Sequence, residues 1–242
     1  MLKNTEKYYS PNFNKVKRSK NDIKFIIIHY TGMANELKAL DRLTNIQSEV
    51  SSHYFIKKSG KIIELVPNLY IAWHAGKSKW GKYKNLNKNS IGIEISNKGH
   101  EFGYQNYSKE QISSLIKLSK YLIKKYKINR SNILGHSDIA FERKKDPGEK
   151  FPWRYLANKK IGIWHKIDEK KLKKIRNKKI TKNEILKFIK YLNKIGYFVK
   201  NLSKNKKFKL FKSFQRRFRQ KLVNGKIDRE CLIIAEKLSK FS

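Results

Sequence analysis

One cysteine, Cys231, stands among 242 residues, so no intrachain disulfide can form and no cysteine-built metal site is available. Long apolar runs are missing too. Nothing approaches the roughly twenty apolar residues of a membrane span, and residues 1–20 hold no apolar core of the kind an export signal needs, which makes the cytoplasm the default expectation. Acid is scarce: 19 Asp and Glu face 58 Lys and Arg, a formal charge of +39. Such a field attracts nucleic acid, anionic lipid or an anionic polymer alike. The cations are mostly Lys, spread along the whole chain, and no base-reading motif is visible, so no specific nucleic-acid partner is expected.

What is present suffices to fold. Apolar residues make up 39% and aromatics 12%, ordinary values for a globular chain. The length suits a domain of about 150 residues with a small accessory module.

Residues 25–30 (FIIIHY) form a β-branched and aromatic run that predicts a buried strand, delivering His29 and Tyr30 at its end. Residues 53–58 and 61–66 predict two more strands, paired through a turn in which Gly60 supplies positive φ. Residues 90–96 (SIGIEIS) alternate, with Ile91, Ile93 and Ile95 on one face and Gly92, Glu94 and Ser96 on the other. Ser108 and Gln111 make a capping box before a helix whose apolar face includes Ile112, Leu115, Leu122 and Tyr126. A short strand at 132–134 then leads into Gly135 and His136. Interleaved strands and helices predict an α/β fold, a mixed central sheet flanked by helices.

Residues 158–180 are Lys-dominated and read as a linker that partly packs. From Thr181 the periodicity returns. Thr181 and Glu184 form a second capping box, Gly196 stops that helix, Leu210, Phe214 and Phe218 mark another, and Asp228 caps a last one. The expectation is a small C-terminal three-helix domain.

Three residues have metal-ligand chemistry at places where the backbone presents them: His29 at a strand end, His136 after Gly135, and Asp146 in the loop 144–148. Two imidazoles and a carboxylate suit zinc, whose catalytic sites take three protein ligands and leave a fourth position open. By ligand chemistry alone the signal is weak, since six His and 19 acids offer many such triples.

The words FIIIHYTG, SSHYFIKKSGKIIELV, AWHAG, NSIGIEIS, LGHSDIA and KKDPGEKFPW occur in this order across residues 23–153. Together they resemble the amidase-2 group of N-acetylmuramoyl-L-alanine amidases, related to phage T7 lysozyme and the peptidoglycan recognition proteins. The resemblance implies Zn2+ held by His29, His136 and Asp146, with Glu94 as the catalytic glutamate and Lys144 beside the metal. It also implies hydrolysis of the amide bond between N-acetylmuramic acid and L-alanine in peptidoglycan or its anhydromuropeptide fragments, for wall turnover or recycling. Trp73, His74 and Asn89 fall in segments that line the family's substrate groove. For Trp73 a packed aromatic is as good a reading. His53 is expected to make a structural hydrogen bond, because a fourth protein ligand would close the catalytic site.

The C-terminal helices resemble small peptidoglycan-binding domains through residues 192–197, 214–218 and 224–228. The implied organisation is an N-terminal extension at 1–22, a zinc amidase domain at 23–157, a linker at 158–180 and a peptidoglycan-binding-like helical domain at 181–242. The expected partners are peptidoglycan or muropeptides, and a periplasmic or wall-associated location stays open. A non-catalytic recognition protein is the alternative function. Inactive recognition proteins typically lack the last metal ligand, so Asp146 favours an enzyme.

Overall fold

The computed structural model describes residues 5–241. The first four residues of the expected N-terminal extension, and Ser242 at the end of the helical domain, lie outside the described residues. The strands are β1 (Thr5–Lys7), β2 (Phe13–Asn14), β3 (Phe25–Tyr30), β4 (Tyr54–Ile56), β5 (Ile62–Glu64), β6 (Ile71–Ala72), β7 (Lys79–Trp80), β8 (Tyr83–Lys84), β9 (Ser90–Ile95) and β10 (Ile133–Gly135). The α-helices are α1 (Glu36–Thr44), α2 (Lys109–Tyr126), α3 (His136–Ile139), α4 (Trp153–Asn158), α5 (Glu169–Ile175), α6 (Lys182–Ile195), α7 (Lys204–Phe218) and α8 (Arg229–Leu238).

Six strands make one mixed sheet in the order β1-β5-β4-β9-β3-β10, parallel except for the β4–β5 hairpin. The hairpin closes where expected, with Gly60 at φ 84°. Strands β3 and β9 are buried on both faces, and their side chains sort by alternation. Ile26 and Ile28 of β3 join Ile91, Ile93 and Ile95 of β9 under the apolar face of α2. That helix starts at the expected box, the Ser108 side chain accepting from Gln111 N–H and the Gln111 side chain from Ser108 N–H. Phe25 and Ile27 point to the opposite face.

On that opposite face the C-terminal helices complete the core. Phe25, Ile27 and Leu134 of the sheet form one apolar cluster with Phe188, Leu192, Phe214, Phe218 and Ile234 of α6, α7 and α8. Each such side chain contributes about 1.5–3 kcal/mol on burial, and here that surface lies between the two parts of the chain. The stretch read as a linker that partly packs carries α5 and buries Ile161, Ile163 and Leu172. Spaced apolar residues in a Lys-rich segment are enough to dock a short helix while its cations stay in water. The N-terminal extension joins the sheets: β1 adds an edge strand parallel to β5 and β2 pairs with β6. No described helix is long and apolar enough to cross a membrane.

Candidate metal centre and catalytic pocket

Parallel pairing in register puts His29 of β3 opposite Glu94 of β9, with Ile27 opposite Gly92 and Phe25 opposite Ser90. His29 and Glu94 therefore share the face that α2 does not cover, at the carboxyl ends of the strands, where ligands bind in open α/β sheets. β10 runs beside β3 and ends at Gly135, so His136 opens α3 next to His29. The Asp146 loop closes over both: Ser137 N–H donates to Asp146 O at 2.8 Å, and a Cβ on Gly135 would sit 2.6 Å from Pro147.

The three expected ligands come together. His29 Nδ1 and His136 Nδ1 are 2.9 Å apart, and Asp146 Oδ2 lies 3.2 Å from the first and 3.1 Å from the second. All three residues are buried. Hydrogen bonds fix what these atoms offer. Ser90 Oγ donates to Leu86 O at 2.6 Å, so at 3.1 Å it accepts from His74 Nε2–H. His74 Nδ1 is then an acceptor, and His29 Nε2–H donates to it at 3.0 Å. His136 Nε2–H donates to Ala75 O at 3.2 Å. Both Nδ1 atoms are left with lone pairs, assigned from the network.

Two imidazole lone pairs and a carboxylate oxygen converge in a triangle with sides near 3 Å, and lone pairs so placed repel one another unless a cation joins them. Bonds of about 2.0–2.1 Å to a tetrahedral zinc put ligand atoms roughly 3.3 Å apart, so the donor set and its spacing fit a metal ion. Burial first, and then the neighbouring His136, lower the His29 pKa to about 4 against the pull of Asp146, keeping the ring in the neutral form that ligation requires.

Glu94 lines the same cavity, of about 280 Å3, together with Tyr30, His74, Arg42, Arg143 and Lys144. Its Oε2 is buried and has no hydrogen-bond partner among the described residues. Burial first, and then the charge of Asp146, push its pKa up to about 8, with Lys144 and Arg42 opposing. A carboxyl group poised near neutrality, with one oxygen uncommitted, can take up and return a proton. Lys144 is held at the rim by its backbone N–H on Ala140 O at 3.0 Å.

The three residues expected to touch substrate divide. His74 lines the cavity but lies beneath His29, as the acceptor for its Nε2–H. Trp73 does not line it; its Nε1–H donates to Asn14 Oδ1 at 2.6 Å. Asn89 precedes the start of β9, at the end of the strand remote from Glu94, where its Nδ2 donates to Asp22 O at 3.1 Å. A position one residue before the strand cannot share the open end that Glu94 reaches five residues later. His53 accepts from Gly92 N–H at 3.0 Å through Nδ1, a structural bond that leaves it outside the ligand cluster.

Several contributors were not read from the sequence. The His74–Ser90 relay depends on Gly92, where a Cβ would meet the His74 ring at 2.4 Å. The available signal is the glycine between Ile91 and Ile93, since glycine inside a strand marks close approach. On the pocket rim Tyr30 Oη lies 2.8 Å from His100 Nδ1, and His100 Nε2 lies 3.1 Å from Glu149 Oε2.

Known proteins share this chain's sequence and fold. The profile of the N-acetylmuramoyl-L-alanine amidase family matches residues 19–149. The chain is 36% identical over 229 residues to the N-acetylmuramoyl-L-alanine amidase AmiD of Escherichia coli, covering 89% of this chain and 82% of that protein. It is 32% identical to the 1,6-anhydro-N-acetylmuramyl-L-alanine amidase AmpD of Haemophilus influenzae, covering 66% of this chain and 95% of the relative. The solved structure of E. coli AmiD with anhydro-N-acetylmuramic acid-L-Ala-D-γ-Glu-L-Lys superposes with a TM-score of 0.80 at 34% identity, covering 94% of this chain and 92% of that one. Pseudomonas aeruginosa AmpDh3 in complex with anhydromuramic pentapeptide gives 0.79 at 28% identity, covering 99% and 98%.

Proposed function

The chain belongs to the N-acetylmuramoyl-L-alanine amidase family, and on that premise we propose that it cleaves the amide between the lactyl group of N-acetylmuramic acid and L-alanine in anhydromuropeptides, using zinc held by His29, His136 and Asp146. The observation that carries the reading is the triangle of two imidazole lone pairs and one carboxylate oxygen, with Glu94 on the adjoining strand in register with His29. The substrate class follows from the anhydromuramoyl peptide bound in the AmiD structure.

When bound, zinc supplies Lewis-acid polarisation of the scissile carbonyl and makes water acidic enough, with a pKa near 7, to act as a nucleophile at neutral pH. The side chains do the rest. Glu94 Oε2, without a partner among the described residues, takes the proton of the attacking water and returns it to the nitrogen of the departing L-alanine. Protonated, that nitrogen leaves as an amine. The Lys144 ammonium at the rim stabilises the negative oxygen that develops as the carbonyl becomes tetrahedral. Buried Asp146 and the two imidazoles keep their places through the bonds to Ser137, Ala75 and His74.

Incubation of the zinc-loaded protein with a purified anhydromuropeptide, with products identified by mass, tests the reading. The expected products are the free sugar acid and a peptide with a free L-alanine amino group. Their formation stops with chelator and resumes with zinc. An intact substrate after prolonged incubation with zinc-loaded, folded protein would return the chain to the class of recognition proteins.

A further inference from the structure

The C-terminal helices do more than share a core with the amidase domain: they hold the backbone that carries the metal ligands. His136 is flanked by Gly135 on one side and by Ser137 and Asp138 on the other. Asp138 Oδ2 accepts from Gly135 N–H at 2.7 Å, closing the turn around His136. The same carboxylate is paired with Arg217 of α7, and the two side chains are only 1% and 2% exposed. Tyr197, between α6 and α7, donates its hydroxyl to Asp138 Oδ1 at 2.6 Å. Arg217 also donates to Ile133 O at 2.8 Å, and Ser213 donates to Ser137 O at 2.7 Å. Every flank of His136 is therefore tied to the module directly or through Asp138.

The neighbouring positions of α7 reach the third ligand's loop. Arg216 lies 3.7 Å from Glu149, three residues after Asp146, and Gln220, just past the helix, donates to Phe151 O at 2.6 Å. A sealed ion pair is a poor adhesive, because desolvation of both charges offsets much of their attraction and apolar residues of the same size hold as well. What it provides is a single permitted geometry. That geometry converges on the turn bearing His136, and not on the outer faces of the two domains.

We infer that α7 is a positioning element of the metal site: Arg217, Tyr197 and Ser213 set the His136 turn through Asp138 and Ser137, so the C-terminal module serves the reaction itself, whatever polymer it also binds. The metal part of this inference rests on the ligand geometry and the kinetic part on the amidase reading above.

The test uses the full chain with Tyr197→Phe and Ser213→Ala combined, a change that removes two hydroxyls and leaves the Tyr197 ring packed edge-on against Trp80 at 4.8 Å. Zinc affinity is measured by competition with a chromophoric chelator, folding by a cooperative melt, and kcat and KM on a soluble anhydromuropeptide. The expectation is a folded protein whose zinc affinity falls several-fold to about tenfold, within reach of effects seen when supporting partners of ligands are removed, and whose kcat falls while KM holds. Arg217→Lys, which keeps a charge beside Asp138 but loses the fork, is expected to show the same pattern. Unchanged zinc affinity and kcat in both folded variants would overturn the inference, as would a rise in KM alone, which would make the module a substrate-binding part. Should the parent protein cleave nothing, the zinc titration still decides the positioning role separately from the amidase reading.

Discussion

His29 and Glu94 are register partners across the parallel pair β3–β9. A metal ligand and the group that handles the proton are thus spaced by backbone pairing, and a slip of one residue would turn one of them to the opposite face of the sheet. The loops bearing His136 and Asp146 are then bonded onto this fixed pair. Rigid strands for two of the groups and braced loops for the others is the arrangement expected where geometry must hold to within about half an ångström.

Glu94→Gln preserves shape while abolishing the carboxylate. Because Oε2 has no partner among the described residues, the variant is expected to fold and bind zinc as the parent does. Its kcat should fall by about a hundredfold to ten-thousandfold, the range for loss of a positioned general acid–base group. Metal content by elemental analysis beside single-turnover kinetics checks this. Parent-like turnover would remove Glu94 from the mechanism.

Lys144→Met keeps length and loses charge. If the ammonium stabilises the developing oxyanion, kcat drops on the order of a hundredfold to a thousandfold with little change in KM. An increase confined to KM would show that Lys144 contacts the ground-state substrate instead, and steady-state kinetics on a soluble anhydromuropeptide separates the two.

Gly92→Ala tests the relay behind His29. The added Cβ would lie 2.4 Å from His74, so the ring must move and the His29 Nε2–H loses its acceptor. Zinc affinity is expected to fall about ten- to a hundredfold, as for other losses of a ligand's supporting bond. Chelator competition measures it, and parent-like affinity in a folded variant would show that the relay is dispensable.

The central strands were legible because alternation and β-branched runs report burial on one or two faces, and the register of β3 with β9 only had to bring together His29, assigned to a strand end, and Glu94, assigned to the face away from the isoleucines. The ligand triple was a different matter. Nothing in the spacing of His29, His136 and Asp146 distinguishes them from other His and acid combinations, and the motif resemblance singled them out. Asn89, named from the resemblance, sits five residues before Glu94, and five extended residues put it at the other end of the strand. The docking of the helical module was also hidden. Its apolar periodicity announces helices but not what they pack on, and the Asp138–Arg217 pair joins positions 79 residues apart. The hint available was that Arg, the rarer cation here, clusters at 216, 217 and 219, and Arg is the cation suited to buried pairing.

His165 gives the fold a pH dependence that can be isolated. Its Nδ1 accepts from Ile167 N–H at 3.1 Å, a bond that only the neutral ring can make. Burial lowers its pKa to about 4, with Glu169 and a bond to the Phe218 backbone opposing and Arg154 assisting. In the unfolded chain the ring titrates near 6.5. Between those values the unfolded state binds the proton and the folded state does not, so the contribution is fully present above about pH 6.5 and declines as the pH falls towards 4. The loss is at most roughly 3.5 kcal/mol, taking about 1.4 kcal/mol per pKa unit. Denaturant unfolding of the metal-free protein at several pH values between 7.5 and 4.5, beside His165→Gln, measures it. The difference between the two proteins removes the contributions of other titrating groups, His29 among them. Parallel stability curves would mean that His165 keeps an ordinary pKa in the fold, whereas a parent curve that falls more steeply below pH 6.5 would place the proton-sensitive contact at the junction between α5 and α7.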